Sequence, residues 1–335
     1  GAAWFFIERD AAGSYIGAIK GANIYVWTAA DGTWCTVTNN GASYLTGTKQ
    51  NDYHFRSVQD VTVISNKTVT TAMQAAGTFV SGAVATLKLL SVIDAASYEV
   101  TIQGIVTTVT AQSSTTFDDM LIYDGSSINT NHHLVDAIKA TIDAQQAASN
   151  TDFDGVWYLE GYTNSLVIKR TTGTNAVVTN YSATSGTDVT FTIEAKGGFG
   201  NTSLQAFQDD VNDIVELPAE SFHNHNVRVN NTDSSDDDYH LKYIAYNNLR
   251  GRGYWKETVA RDASPGLDAA TMPYQLENTG ALTFSFNPIT WKARQAGDDV
   301  TSPIPSFIGS PVQASFFYSN RFGLLSEDNV IFGVS

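Results

Sequence analysis

Short β-type runs separated by turn dipeptides are the feature that most constrains the fold of this chain. Between Trp4 and Thr70 the runs are about four to seven residues long, rich in Tyr, Trp, Ile and Val, and end at Asp-Gly, Asn-Gly or Gly-Ala steps. Such spacing is typical of meandering antiparallel sheets and favours a sandwich, a barrel or a propeller blade. The run DVTVISNKTV, at residues 60–69, repeats the pattern once more.

The middle of the chain has a different pattern, which begins near Met73 with a composition rich in Ala, Thr, Ser and Gly. The segment 98–110 reads YEVTI, Gln-Gly, IVTTVT and predicts a β-hairpin with a Gly-containing turn. In HHLVDAIKATIDAQQAA the apolar residues Leu134, Ile138 and Ile142 recur every four positions, which predicts an amphipathic helix. Its candidate N-cap residues are Asn129, Thr130 and Asn131.

Further strands and a second helix are predicted after the first helix. Residues 155–173 predict two strands joined by a turn, and residues 189–194 predict another alternating strand. A helical spacing of apolar residues before Pro218 predicts a second short helix. Its apolar positions are Leu204, Phe207, Val211 and Ile214, with Thr202 or Ser203 as the cap.

These patterns predict a mainly β fold with an α+β insertion, that is, a propeller-like antiparallel β-sheet domain interrupted by a small α/β module with two short helices. The predicted parts are residues 1–72, which are β-rich, residues 73–200, which form the inserted module, and residues 201–335, a helix followed by β-rich sequence. Because the chain begins without Met and stops inside an apolar run, we expect a processed or truncated piece of a longer protein.

The charge balance limits the kinds of partner that the chain can bind. Nineteen Lys and Arg stand against 34 Asp and Glu, which gives a net charge of −15. A broad grip on a nucleic-acid backbone needs clustered basic charge, so tight DNA binding is not expected. A wall past which DNA slides without sticking is compatible with this charge.

Hydropathy and cysteine content exclude other classes of protein. The 42% hydrophobic content is ordinary for packed globular domains, and no apolar run approaches the roughly 18 to 20 residues needed to span a bilayer. The single cysteine, Cys35, excludes an intrachain disulfide framework and a multi-cysteine metal site. We expect it to be a small buried side chain.

Histidines and acidic runs give weak signals for a metal. His132 and His133 are adjacent and diverge on a helix, whereas His223 and His225 share a face if they lie on a strand. No Cys or Glu completes a tetrahedral set at motif spacing, so a solvated polar loop is the preferred interpretation. The acidic run 233–238 lacks the glycine and the bidentate Glu of a calcium loop and is interpreted as a solvated turn.

Catalytic motifs are absent from the sequence. There is no G-x-S-x-G, H-E-x-x-H or P-loop, and the glycines of 197–200 are interpreted as a turn. The adjacent carboxylates Asp298 and Asp299 diverge on a strand, so they do not make a glycosidase pair. We therefore predict that the chain is not an enzyme and needs no cofactor.

Aromatic residues are plentiful, with six Trp, fifteen Tyr and seventeen Phe. In a β protein they usually fill cores and cross-strand pairs. We assign that role to the aromatic residues of the first strands, namely Trp4, Phe5, Tyr25, Trp27 and Trp34. A carbohydrate-binding platform made of such rings is the alternative.

The C-terminal third carries an ordered series of short motifs. They are DDYHLKYI, GYWKETV, ATMPYQL, LTFSFNPITWKARQAGDD and TSPIPSFIGSPVQASFFYSNRFGLLSEDNVI. In this order they resemble the tail nozzle proteins of short-tailed phages, the tail tubular protein B family of T7-like viruses. The residues at the motif positions are Met272, Pro273, Trp291, Arg294, Gly297, Asp298, Pro305, Phe307, Gly309, Phe316, Phe317, Tyr318, Asn320 and Arg321.

The resemblance extends more loosely to WFFIERD and DVTVISNKT near the start and to the hairpin and helix of the middle module. It implies a structural virion protein of the phage tail, with six copies around an axis forming the distal tube. The implied partners are other copies of the chain, the upper tail ring (tail tubular protein A, the adaptor), the tail fibres, and double-stranded DNA that passes through the lumen without tight binding. The implied architecture combines a β-propeller with smaller domains.

The motif residues are then expected to be structural. Phe316 and Tyr318 alternate with Phe317 along a strand, which puts aromatic rings on both faces of a sheet. Arg321 is expected in a turn, bonded to backbone carbonyls or to Glu327 or Asp328.

A second function stays open at this point. The aromatic residues and acidic pairs are also compatible with a β-rich glycan-binding or glycan-cleaving module of a phage receptor-binding protein.

Overall fold

The computed structural model describes residues 1–9, 13–91, 93, 95–111, 134–160, 165–173, 186–230 and 238–333. Within these ranges the chain is mainly β with one α-helix, which confirms the predicted fold class at that level. The first strands are β1 Ala3–Glu8, β2 Ser14–Lys20, β3 Asn23–Thr28, β4 Trp34–Asn39, β5 Tyr53–Val58, β6 Val61–Asn66, β7 Val84–Leu89, β8 Ser97–Ile102 and β9 Ile105–Thr110. The helix α1 Leu134–Ala147 follows.

The remaining strands complete the described part of the chain. They are β10 Val156–Glu160, β11 Ser165–Arg170, β12 Ile193–Gly197, β13 Leu204–Phe207, β14 Asp210–Val211, β15 Glu220–Phe222, β16 Asn226–Val229, β17 Tyr239–Ala245, β18 Arg250–Thr258, β19 Tyr274–Gly280, β20 Thr283–Pro288, β21 Ala314–Tyr318, β22 Arg321–Ser326 and β23 Asn329–Phe332. Contacts divide the chain into a first unit, residues 1–76, 264–294 and 302–335, and a second unit, residues 77–263 and 295–301. The domain boundaries predicted at residues 72 and 200 stay predictions, since a compact unit need not be an independent domain.

The first unit is built on an eight-stranded sheet in the order β1-β2-β3-β4-β20-β19-β6-β5. Neighbouring strands are antiparallel except β4 and β20, which are parallel. The sheet curls like a barrel, because Phe5 on its first strand stacks on Phe55 of its last strand with ring centroids 4.5 Å apart. Alternate side chains of each strand, such as Ile7, Val26 and Phe286, fill the enclosed core.

The first unit also contains a three-stranded antiparallel sheet, β21-β22-β23. One face of this sheet packs on a cluster that includes Leu324 and Phe307. The backbone N–H of Ser315 donates to Nδ1 of His54, which connects the sheet to β5 at a distance of 3.2 Å.

The second unit contains the predicted α+β elements. The hairpin β8–β9, the helix α1 and the strands β10 and β11 all form where the sequence predicts them. Leu134, Ile138 and Ile142 are buried against the sheets β10-β11-β7-β13 and β12-β8-β9, which confirms the amphipathic helix. The strand predicted at 189–194 begins four residues later, as β12. A five-stranded sheet, β14-β16-β17-β18-β15, completes this unit.

The second predicted helix is wrong. Its residues form the strands β13 and β14, because Leu204 to Phe207 pair with the free edge of β7 and bury Leu204 in the core. A tertiary pairing that satisfies the backbone overrides a helical spacing of only three turns. The propeller-like arrangement is not confirmed either, since the main sheet curls like a barrel. The predicted caps at 129–131 and His132 and His133 lie outside the described residues.

Candidate functional site

Several motif residues meet in one small hydrophobic cluster of the first unit, here called the motif core. Its buried members are Met272, Phe307, Val312 and Leu324. Trp291 packs against them with its ring 6.2 Å from that of Phe322, and Pro273 is buried directly before β19. Segments that are far apart in the sequence therefore share one packing site.

The Pro-Ser-Phe-Ile-Gly motif forms a turn that closes over Thr71. The N–H of Gly309 donates to the carbonyl of Thr71 at 3.0 Å. The Thr71 hydroxyl lies 2.9 Å from the carbonyl oxygen of Phe307 and 2.8 Å from that of Ser310. Gly309 has a φ of 92°, a conformation that favours glycine, so the motif glycine is needed for the turn. Pro305 begins this turn.

Arg294 joins two loops of the first unit. One terminal nitrogen of its guanidinium donates to the carbonyl of Ser264 at 3.2 Å, and the other donates to the carbonyl of Ser302. Its backbone N–H donates to the carbonyl oxygen of Pro265 at 2.8 Å. The side chain is half-buried, so these bonds satisfy carbonyls that have limited access to water.

Gly297 and Asp298 belong to the second unit. The carbonyl of Gly297 accepts the N–H of Ala260 at 2.9 Å. The Asp298 carboxylate accepts the backbone N–H groups of Thr301 at 2.7 Å and Val300 at 2.8 Å. These bonds, above all the one from Thr301, lower the pKa of Asp298. The carboxylate therefore stabilises a turn.

The β21–β22 hairpin carries the aromatic motif on both faces. Phe316 and Tyr318 lie on one face and Phe317 on the other. Ser319 and Asn320 have φ angles of 47° and 61°, which make a two-residue turn of type I′. The turn therefore consists of these two residues, one position earlier than the predicted Asn-Arg turn.

The hydrogen bonds expected of Arg321 are not formed. Arg321 is the first residue of β22 and is exposed, and its side chain makes no hydrogen bond or ion pair with any part of the chain that the structure describes. The type I′ turn ends at Asn320, so Arg321 follows the turn and is not one of its two residues. The structural role assigned to this motif arginine stays a prediction.

The outward side of strands β1 to β4 carries an apolar surface, here called the outer aromatic face. Its members are Trp4, Phe6, Ile16, Tyr25, Trp27 and Trp34. Trp4 and Trp34 are 55% and 56% exposed. The assignment of these two tryptophans to the core is therefore wrong, whereas Phe5 is buried as predicted. The predicted cross-strand ring pairs do form, since Trp27 lies 6.0 Å from Trp4 and 5.2 Å from Trp34.

The sequence contained a signal for this face. In Ala3–Glu8 (AWFFIE), apolar residues occupy both the odd and the even positions, whereas a strand with one wet face alternates apolar with polar residues. Such a run predicts two apolar faces. The curled sheet covers only the face that carries Phe5, which leaves the other face at the surface.

The histidine pair is not arranged as a metal site. His223 and His225 lie in the turn between β15 and β16, so the shared strand face was a wrong premise. Nδ1 of His223 accepts the N–H of Ala245 at 3.3 Å, and Nδ1 of His225 lies 2.7 Å from the Ser221 hydroxyl. Burial lowers the pKa of His225 to about 3, so its ring is neutral.

A metal cluster, the acidic run, Cys35 and a membrane-spanning helix are the remaining candidate features. In the described ranges no three His, Cys, Asp or Glu side chains are grouped so that they could hold a metal ion. Of the acidic run, only Asp238 lies among the described residues, 3.8 Å from Arg228. Cys35 is buried as predicted, and burial raises the pKa of its thiol. The described part of the chain has no helix whose length and hydropathy would let it cross a membrane.

Comparison with known proteins decides the family. The sequence profile of the bacteriophage nozzle protein family matches residues 1–335, the whole chain. The chain belongs to this family. The tail tubular protein gp12 of Escherichia phage T7 is similar to it, with 29% identity over 137 residues. The match covers 41% of this chain and 17% of that relative, so the chain spans well under two thirds of the relative's length.

The motif residues of this family member that lie in the motif core and its turns contact each other and the backbone. The outer aromatic face differs from them, because Trp4, Phe6 and Trp34 are more than half exposed.

Proposed function

We propose that copies of this chain surround an axis and form the distal tube, or nozzle, of a short phage tail, through which the genome passes into the host. The match of the nozzle family over the whole chain carries this proposal. The role is that of tail tubular protein B, and six copies per ring is the proposed number. The role is structural and requires neither catalysis nor a cofactor.

The charge of the chain supports the proposed passage of DNA. A net charge of −15 disfavours lasting contacts with phosphates, because tight binding of a phosphate backbone needs clustered basic side chains and the negative charges repel it. A tube that held DNA tightly would slow ejection. Weak contact with the double strand is therefore an advantage in a lumen.

The proposed partners follow from a place at the end of the tail. They are neighbouring copies of the same chain, the upper tail ring (tail tubular protein A or adaptor) to which the tube attaches, and the tail fibres at the junction. A ring with rotational symmetry uses two different surfaces of each copy, which meet head to tail.

Electron microscopy of the phage particle tests the proposal. Antibodies raised against this chain should label the distal end of the tail, and particles assembled without the chain should have a shortened tail and release no DNA on contact with the host. Label on the capsid or on the fibre tips would overturn the proposed place. Full-length tails in particles that lack the chain would overturn it as well.

Glycan binding by a phage receptor-binding module is a second candidate, because exposed tryptophan rings occur on the outer aromatic face. Its test is binding of host surface polysaccharide to the purified chain, which is measured by the quenching of tryptophan fluorescence. A glycan array without binding, together with intact polysaccharide after incubation, would remove this candidate and its glycan-cleaving variant.

A further inference from the structure

The outer aromatic face is continuous across four strands. Strand register places Phe6 opposite Ile16, Ile16 opposite Trp27, and Trp27 opposite Trp34. These four side chains form one apolar row. A second row begins with Trp4, which lies opposite Ala18 on β2. The backbone of Trp4, on the edge strand β1, is bonded to the side chain of Gln50, which accepts the Trp4 N–H at 2.7 Å and donates to the Trp4 carbonyl at 2.8 Å. The surface therefore offers mainly side-chain contacts.

The face is large enough for a specific protein contact. Trp4, Phe6 and Trp34 are 55%, 55% and 56% exposed, and at about 200 Å² for a large aromatic side chain they present about 330 Å² of apolar surface. The other three members raise the total above about 400 Å². One side of a standard interface buries about 800 Å², a little over half of it apolar. The face therefore supplies the apolar part of one such side.

The charge of the chain points to the kind of partner. Two copies that each carry −15 repel each other unless they meet on uncharged surfaces. The two rows contain no charged residue, and the nearest charges on the same side of β1 and β2 are Glu8 and Lys20, at opposite ends. The face is therefore a place where like-charged copies can approach without burying an unpaired carboxylate.

Other occupants fit the face less well. A nucleic acid or an anionic membrane surface needs several basic residues, and this side of β1 and β2 offers only Lys20. A glycan needs several hydrogen-bonding groups beside the stacking rings, whereas the members of this face supply only their indole N–H groups and the hydroxyl of Tyr25.

We propose that the outer aromatic face is a contact surface between neighbouring copies of this chain. The inference rests on the proposed function, since a tube wall is built from repeated copies. Trp4 and Trp34 are its anchors, because exposed tryptophans that become buried at an interface contribute most to binding.

Sedimentation velocity of the full chain tests the inference. The wild type should form oligomers as its concentration rises from about 1 to 100 µM, and the double variant Trp4→Ser/Trp34→Ser should weaken association about 100-fold or more, since each lost anchor contributes about tenfold or more. The matched control is Tyr246→Ser/Tyr254→Ser, which removes two exposed aromatic rings from the second unit. This control should associate like the wild type.

A second measurement uses the wild type alone, so its result does not depend on whether the double variant folds. Quenching of tryptophan fluorescence by iodide should decrease as the concentration of the chain rises, because the exposed tryptophans become covered. Equal association of the wild type and the folded double variant would overturn the inference. So would quenching that is independent of concentration, or binding of a host polysaccharide that the double variant abolishes.

The outcomes separate the inference from the proposed function. If the purified chain stays monomeric while antibodies still label the distal tail, the proposed contact surface is wrong and the place in the tail stands. If the chain self-associates through Trp4 and Trp34 but antibodies label another part of the particle, the contact surface stands and the nozzle function is wrong.

Discussion

Phe5 and Phe6 are consecutive residues of β1 with opposite environments. Phe5 is 7% exposed and stacks on Phe55 inside the curled sheet, whereas Phe6 is 55% exposed on the outer aromatic face. The same contrast holds along β1 to β4, where both sides of the sheet carry large apolar residues. The inner side stabilises the fold. The outer side is apolar although it lies at the surface, and this is the observation from which the proposed contact surface is inferred.

The largest expected difference in stability is between substitutions of the two phenylalanines. Phe5→Ala should lower the free energy of unfolding by about 3 to 5 kcal/mol, because it removes a buried ring and leaves a cavity. Phe6→Ala should cost less than about 1 kcal/mol, as exposed positions usually do. Urea unfolding at low protein concentration measures both without a contribution from association. Equal losses would mean that the outer face is already covered within the isolated chain.

Substitution of two glycines that lie under aromatic rings is expected to have the next largest effect on stability. A Cβ on Gly17 would lie 2.1 Å from the ring of Phe5, and a Cβ on Gly323 would lie 2.3 Å from the ring of Phe316. Gly17→Ala should cost up to about 3 kcal/mol, since the Phe5 ring is confined in the core. Gly323→Ala should cost less, because Phe316 is half-exposed and can move into solvent.

Thermal unfolding of both alanine variants checks this order. Gly77→Ala is the control, since a Cβ at that position meets nothing within 4 Å. If Gly323→Ala were the more damaging substitution, the outward side of β21 to β23 would be packed more tightly than its exposure indicates.

The motif arginines extend the comparison to charged residues. Arg294→Ala should lower the free energy of unfolding by about 1 to 2 kcal/mol, because the carbonyls of Ser264 and Ser302 lose their donors. Arg321→Ala should change it by less than about 0.5 kcal/mol, since Arg321 is exposed. Denaturant midpoints measure both. A larger loss for Arg321→Ala would contradict the assignment of that side chain to the surface.

The smallest effect is a pH dependence at His54. Burial, followed by the positive charges of Lys67 and Arg56, lowers the pKa of His54, whose Nδ1 accepts the N–H of Ser315. The unfolded chain therefore takes up the proton first as the pH falls. The contribution of His54 to stability is complete above about pH 6.5, the ordinary pKa of histidine, and decreases below it.

The variant His54→Gln, which stays neutral, isolates this contribution. The difference in unfolding free energy between the wild type and this variant, measured from pH 7.5 to pH 5, should shift against the wild type on acidification. A constant difference would show that His54 is accessible to protons in the fold.

Local patterns in the sequence predict much of this fold. The Gln103-Gly104 turn between alternating runs predicts the β8–β9 hairpin, and the four-residue recurrence of Leu134, Ile138 and Ile142 predicts α1. Both signals are local, because the periodicity and the turn chemistry lie within the element itself.

The wrong predictions concern residues whose structure depends on contacts with distant parts of the same chain. Leu204 has a helical spacing with Phe207, but the free edge of β7 recruits the segment as a strand. Trp4 and Trp34 look like core residues by composition, and only the curl of the sheet determines which side is enclosed. The turn of Ser319 and Asn320 shifts Arg321 by one position, which is enough to direct its side chain into solvent.

The sequence identifies the motif residues but does not predict which of them are in contact. Order along the chain is enough to identify Met272 and Phe307 as members of one family pattern. Their meeting in the motif core depends on the packing of segments that the sequence separates, which no local pattern predicts.

The parallel pairing of β4 with β20 has a consequence for how the protein is made. The side chain of Asn40, just after β4, donates to that of Asn287, 247 positions later in the chain. At a synthesis rate of about 5 to 20 residues per second, β4 waits about 12 to 50 s on the ribosome before β20 exists. During that time the second unit can complete its own sheets. The apolar strands β1 to β4 therefore remain an incomplete sheet during this time. The length of the segment between β4 and β20 determines how long the closure of the barrel is delayed.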